Sequence, residues 1–157
     1  MEHSSAEAAV HAYGDSLYRL CVVMLGNKSD AEDAVQEIFI KYMKKAPTFA
    51  DKEHEKAWLL TAAANHCRDV LRYHKRHQTV DWYDLPDIPV ESSDSGILDA
   101  LMAVPEKFRL VLILHYVEGY SVGEIAKIIG KTASAVKMRL QKGRKLLEEI
   151  YRKEYLS

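Results

Sequence analysis

The chain has 157 residues, room for one medium domain or two small ones. Hydrophobic residues make up 48% of it, which excludes wholesale disorder, and the net charge of −1 hides acidic and basic segments that alternate along the sequence. Two cysteines are too few for a disulfide scaffold, residues 1–15 have no basic stretch leading into an apolar one, and apolar runs such as Leu110 to Leu114 are far too short to span a bilayer, so a cytoplasmic chain without membrane insertion is expected.

Residues 6–25 carry apolar side chains at 9, 10, 13, 17, 20, 21 and 24, a helical spacing closed by Gly26-Asn27. Ser29 and Glu32 have the spacing of a capping box, predicting a second helix that runs to Lys45 and buries Ala31, Ala34, Val35, Ile38, Phe39 and Tyr42. Its other face shows Asp30, Asp33, Gln36, Glu37 and Lys41. Acids early and lysines late complement the helix dipole, so this pattern has a purely structural explanation. Pro47 ends the helix, and 47–55 reads as a polar loop around Phe49.

A third helix is predicted from about Lys56 to Tyr73, with Trp58, Leu59, Ala62, Ala63, Cys67, Val70 and Leu71 in its core. It turns basic at its end, through Arg68, Arg72, Lys75 and Arg76. Asn65 sits where asparagine is mildly unfavourable and needs a partner or a role. Residues 79–95 hold two prolines, clustered serines and five acids with no Lys or Arg, the composition of an acidic linker. Two further helices follow, Gly96 to Val104 and one from Pro105 to Gly119.

Residues 121–150 read as two helices joined by a tight turn. Ser121 and Glu124 form a capping box, Ile125, Ala126, Ile128 and Ile129 give a buried face, and Gly130 stands where a left-handed residue ends the helix. Thr132 caps the next helix, whose apolar positions are Val136, Leu140, Gly143, Leu147 and Ile150. Five cations, Lys137, Arg139, Lys142, Arg144 and Lys145, fall within nine residues, and no acid follows Thr132 until Glu148. Solvated helix faces ordinarily mix signs at i,i+4; here like charges repel, and phosphate would relieve the repulsion. The pattern fits a helix-turn-helix that sets its second helix in a DNA major groove.

The predicted fold is therefore all-α: a helical domain at 1–78, a flexible acidic linker at 79–95 and a helix-turn-helix domain at 96–157. No segment of useful length has strand periodicity. There is no glycine-rich phosphate loop and no paired-cysteine zinc spacing, His66 and Cys67 are neighbours that diverge on a helix, and His74 with His77 lack an obvious third ligand. No catalytic residue, metal or cofactor is expected.

Three stretches in order resemble the extracytoplasmic-function (ECF) sigma factors, the smallest specificity subunits of bacterial RNA polymerase: SDAEDAVQEIFIKYMKK, KAWLLTAAANHCRDVLRYHKR and VPEKFRLVLILHYVEGYSVGEIAKIIGKTASAVKMRLQKGRKLL. The resemblance implies a promoter-specific initiation factor that binds the clamp and flap regions of core polymerase. It implies that Asp33, Gln36, Glu37 and Ile40 contact polymerase. It places Asn65, Arg68, Arg72, Lys75 and Arg76 on −10 DNA, with Phe49 in a loop that receives a flipped-out base. Thr132, Ser134, Lys137, Met138, Arg139, Gln141, Lys142 and Arg144 would meet the −35 element, with Arg139 and Arg144 on phosphates. Met138 and Lys142 depart from the small or hydroxyl residue and the arginine common in the family, which points to a different −35 sequence. An anti-sigma partner, often membrane-bound in this family, is also implied. The rival reading is a helix-turn-helix regulator that acts on duplex DNA without polymerase; the all-helical N-terminal half, with no βα alternation, speaks against the response-regulator type.

Overall fold

The computed structural model describes residues 2–76 and 95–156, which fall into two compact units. Of the acidic linker only Ser95 is described, as the first residue of a helix; Trp82 and its neighbours, and His77, lie outside the described residues.

The first unit is a bundle of three helices, α1 (Glu2–Leu25), α2 (Lys28–Lys45) and α3 (Lys52–Arg76), each packed on the other two. Leu17, Leu20 and Met24 of α1, Ile38 of α2 and Leu59 and Leu60 of α3 are fully buried at its centre. Small residues line the contacts, with Ala31 and Ala34 facing in from α2 and Ala62, Ala63 and Ala64 from α3. Cys21 and Cys67 are both fully buried; a hydrogen bond between them, together with burial, pushes the Cys67 thiol far up.

Several expectations need correction here. Asn27, not Ser29, caps α2: its side chain accepts from the Asp30 amide at 2.9 Å. Gly26, in the left-handed region at φ 69°, turns the chain so that Asn27 is extended and Lys28 already helical. The end of the predicted loop 47–55 is helix, because the Asp51 carboxylate accepts from the His54 amide at 2.8 Å and starts α3 at Lys52. Val10 is exposed, and Val35, Trp58, Val70 and Leu71 are half-buried.

The second unit comprises α4 (Ser95–Ala103), α5 (Glu106–Leu112), a π-helical turn (Ile113–Val117), α6 (Val122–Ile129) and α7 (Ala133–Tyr151), followed by a second π-helical turn (Arg152–Leu156). α7 is its axis, with α4, α5 and α6 all packed against it. Gly143 permits the α5 contact: a Cβ there would stand 3.2 Å from Phe108 Cβ and 3.3 Å from Leu112. Arg109, overlooked in the sequence, is buried and donates from Nη1 to the Met102 carbonyl at 3.1 Å, tying α4 to α5. The predicted single helix after Pro105 slips into the π-helical turn, with the Glu118 amide bonding back five residues to the Ile113 carbonyl at 3.0 Å.

The helix-turn-helix forms as the residues dictate. The Glu124 amide donates to Ser121 Oγ at 3.2 Å and the Ser121 amide to Glu124 Oε1 at 2.9 Å. Gly130 is left-handed at φ 69°, ψ 38°, and Thr132 Oγ1 accepts from the Ala135 amide at 3.1 Å. Ile125, Ile128, Ile129, Val136, Leu140 and Gly143 are buried, whereas Ala126, Leu147 and Ile150 are half-buried.

Candidate nucleic-acid and polymerase interfaces

On α7 the expected recognition residues stand on one open face. Lys137, Met138, Gln141 and Lys142 are exposed, Met138 at 63% of its surface, opposite the buried stripe of Val136, Leu140 and Gly143. Ser134 and Arg144 are also exposed and Arg139 is half-buried. Thr132 is exposed at the start of α7, where its hydroxyl is the cap. Lys142 lies with Nζ 5.7 Å from the Phe108 ring centre, and Arg144 donates to the Tyr116 oxygen at 2.7 Å. None of the basic side chains between Ala133 and Leu147 has an acid on its own helix before Glu148.

The expected −10 residues do not form one patch. Phe49 is half-buried near the start of α3, stacked against Tyr42 with ring centres 6.1 Å apart and edge-on to Trp58 and His54 at 6.0 and 5.4 Å. Arg72, Lys75 and Arg76 are exposed at the far end, and at 1.5 Å per residue Arg72 is roughly 27 Å along the axis from His54. Asn65 lies between the two, exposed, and its partner is Arg68, whose Nη2 donates to Asn65 Oδ1 at 2.7 Å. Asp69 pairs with Arg72 at 3.2 Å.

Beside Phe49 is an open pocket of about 490 Å³ lined by Tyr42, Met43, Ala46, Pro47, Thr48, Phe49, Asp51, Lys52 and Glu55. The Tyr42 hydroxyl donates to Glu55 at 2.5 Å, and burial, then that bond, push the Tyr42 phenol up to about 12. Tyr13 reaches in from α1 to donate to the Lys52 carbonyl at 3.2 Å. The stretch 47–55 was expected to receive a base, but the wall that Tyr42 and Met43 of α2 and its C-cap Ala46 add was not anticipated, since α2 and that stretch converge only in three dimensions.

The acidic face of α2 is open: Asp33, Gln36, Glu37 and Ile40 are all exposed. Met43, 45% exposed and three residues beyond Ile40, extends the stripe to the pocket and was readable from that i,i+3 spacing. Among the described residues no group of three His, Cys, Asp or Glu is placed to hold a metal ion, and no helix is long and apolar enough to cross a membrane.

Two protein families match the two units separately, and relatives match across both. The Sigma-70 region 2 family matches residues 9–77 and the Sigma-70, region 4 family matches 95–147. The ECF RNA polymerase sigma factor SigW of Bacillus subtilis is 30% identical over 162 residues, spanning 91% of this chain and 87% of that protein. The sigma factor CarQ of Myxococcus xanthus is 32% identical over 138 residues, covering 81% and 78%. In fold, the chain is similar to the sigma factor RpoE of Bartonella quintana, solved with the anti-sigma factor NepR, at a TM-score of 0.80 and 22% identity over 94% of this chain and 97% of that one. CnrH, solved with the cytosolic domain of CnrY, gives a TM-score of 0.71 at 20% identity over 97% and 90%. The chain belongs to the ECF sigma factors of bacterial RNA polymerase. It is an alternative sigma factor that directs promoter-specific transcription initiation.

Proposed function

We propose that the three exposed faces divide the work of initiation. The first unit docks on the polymerase clamp through Asp33, Gln36, Glu37 and Ile40, with Met43 extending that surface. Asn65, Arg68, Arg72, Lys75 and Arg76 follow the −10 element, and the pocket beside Phe49 takes a base out of the stack, against the Tyr42, Phe49 and Trp58 rings. The second unit sits by the flap and reads the −35 element with Lys137, Met138, Gln141 and Lys142, while Arg139 and Arg144, with Thr132 and Ser134 at the helix start, hold backbone phosphates. The single-signed open face of α7 is the observation that carries this reading. Like charges gathered on one face repel until an anion arrives.

The protein acts in the cytoplasm and is restrained by an anti-sigma partner; the family membership and the RpoE–NepR and CnrH–CnrY complexes support that part of the reading. A photo-crosslinker placed at Met138, and in a second variant at Phe49, tests the assignment in a promoter-bound holoenzyme. Position 138 is expected to label −35 duplex and position 49 unpaired −10 DNA. Labelling of the reverse elements, or of neither, contradicts it.

A further inference from the structure

Tyr116 is in an unexpected place. Phe108 and Leu112 form the stripe of α5 that packs on Gly143 of α7, and four residues on from Leu112 a regular helix would carry position 116 along that stripe. The π-helical turn adds a residue to the loop closed by each hydrogen bond, and the register slips. Tyr116 is thereby 56% exposed. Its ring is held edge-on by His115, centre to centre 4.8 Å at 82°, and His115 is itself anchored by donating from Nδ1 to the Tyr120 carbonyl at 2.8 Å.

Across 28 residues of sequence, Arg144 Nη1 donates to the Tyr116 oxygen at 2.7 Å. Two other exposed arginines take a carboxylate, Arg72 with Asp69 and Arg152 with Glu148. Arg144 instead takes a neutral partner, so its charge is not cancelled. The contact uses one of the five donors of the guanidinium. It also turns the Tyr116 hydroxyl hydrogen away from the cation, because the oxygen is accepting there. Two oriented donors, one cationic, stand side by side at the edge of the face carrying Lys137, Gln141 and Lys142. That edge is where the backbone runs when a helix lies in the major groove.

We propose that Tyr116 and Arg144 form a two-donor clamp for one backbone phosphate of the −35 duplex; the proposal rests on the reading of α7 as the −35 helix and adds Tyr116 to the interface. Arg144 supplies charge, and Tyr116 supplies a neutral donor and restricts where the guanidinium points. The clamp sets position on the duplex and carries no base preference.

The test uses holoenzyme, core polymerase with the full chain, measuring promoter affinity across salt concentrations and initiation from the same promoter. Tyr116→Phe keeps the ring and loses only the hydroxyl, and a thermal melt checks the fold. It is expected to weaken promoter binding about fivefold, equally on matched and altered −35 sequences, without changing the salt slope. Arg144→Gln is expected to weaken binding on the order of tenfold and to lower the slope by about one unit. The double variant should lose less than the product of the two, because both donors serve one phosphate. Tyr116→Phe binding promoter like the wild type overturns the clamp alone, as does a double variant whose loss equals the product. Weaker binding to core polymerase itself would make Tyr116 a protein contact and also overturn it. A wild-type holoenzyme that fails to initiate overturns the promoter reading and the clamp with it.

Discussion

The two units carry charge differently. The first mixes signs: α2 presents Asp33 and Glu37, and two arginines of α3 have side-chain partners within their own helix, Arg68 with Asn65 and Arg72 with Asp69. In the second, α7 has no acid before Glu148, and its contacting cations meet neutral groups, Lys142 over the Phe108 ring and Arg144 at the Tyr116 hydroxyl. Exposed pairs of the first kind contribute little and need no external partner. A face of the second kind keeps its repulsion in the isolated protein, which makes α7 the stronger indicator of an anionic ligand. The first unit is assigned instead by its pocket, its open acidic stripe and its family match.

The sharpest break of this contrast is charge reversal on the first unit. Asp33→Lys with Glu37→Lys is expected to abolish core-polymerase binding, read by co-elution, while helix content by circular dichroism stays unchanged because both residues are exposed. Collapse of helix content would make those acids structural. Next in size is Lys137→Ala with Lys142→Ala on α7. Promoter affinity of the holoenzyme should fall, and its salt slope should drop by up to about two units, because each lysine brings a cation into the groove and displaces about one counterion. An unchanged slope would remove α7 from the interface.

A third change tests the scaffold that holds that face. Gly143→Leu forces side-chain atoms into the space of Phe108 and Leu112 and should destabilise the second unit by about 1–3 kcal/mol, seen in denaturant melts. The smallest effect is at the capping box. Ser121→Ala should cost about 1 kcal/mol. The Ser121 amide and hydroxyl hold the Glu124 carboxylate below its usual range. Its contribution is therefore complete above the ordinary carboxylate range and is lost as pH falls through the lowered folded value. Glu124→Gln should flatten that acid-side loss of stability in the second unit.

The helix-turn-helix was legible in the sequence because its determinants are local. Ser121 and Glu124, Gly130 and Thr132 each act within three or four residues, and each has the predicted role in the structure. Boundaries elsewhere were decided by competition between nearby caps. Asn27 and Ser29 both suit an N-cap, and the left-handed Gly26 selects the first. Asp51 starts α3 inside a stretch whose polarity resembles a loop. The π-helical turn has no compositional signature, so the exposure of Tyr116 was not predictable. The α2 wall of the pocket beside Phe49 was hidden for another reason, since Tyr42, Met43 and Ala46 meet the stretch 47–55 only in the folded bundle. The polymerase and DNA residues were named from family resemblance more than from periodicity. The structure shows most of them exposed, with Phe49, Arg68 and Arg139 half-buried, and it separates Phe49 from the basic end of α3.

The most direct measurement is run-off transcription with bacterial core polymerase, with and without this protein, on pooled genomic promoter fragments. Discrete start sites that appear only when the protein is present, and that share −10 and −35 elements, are the predicted result. An active core and a folded protein that together yield no such transcripts would contradict the account.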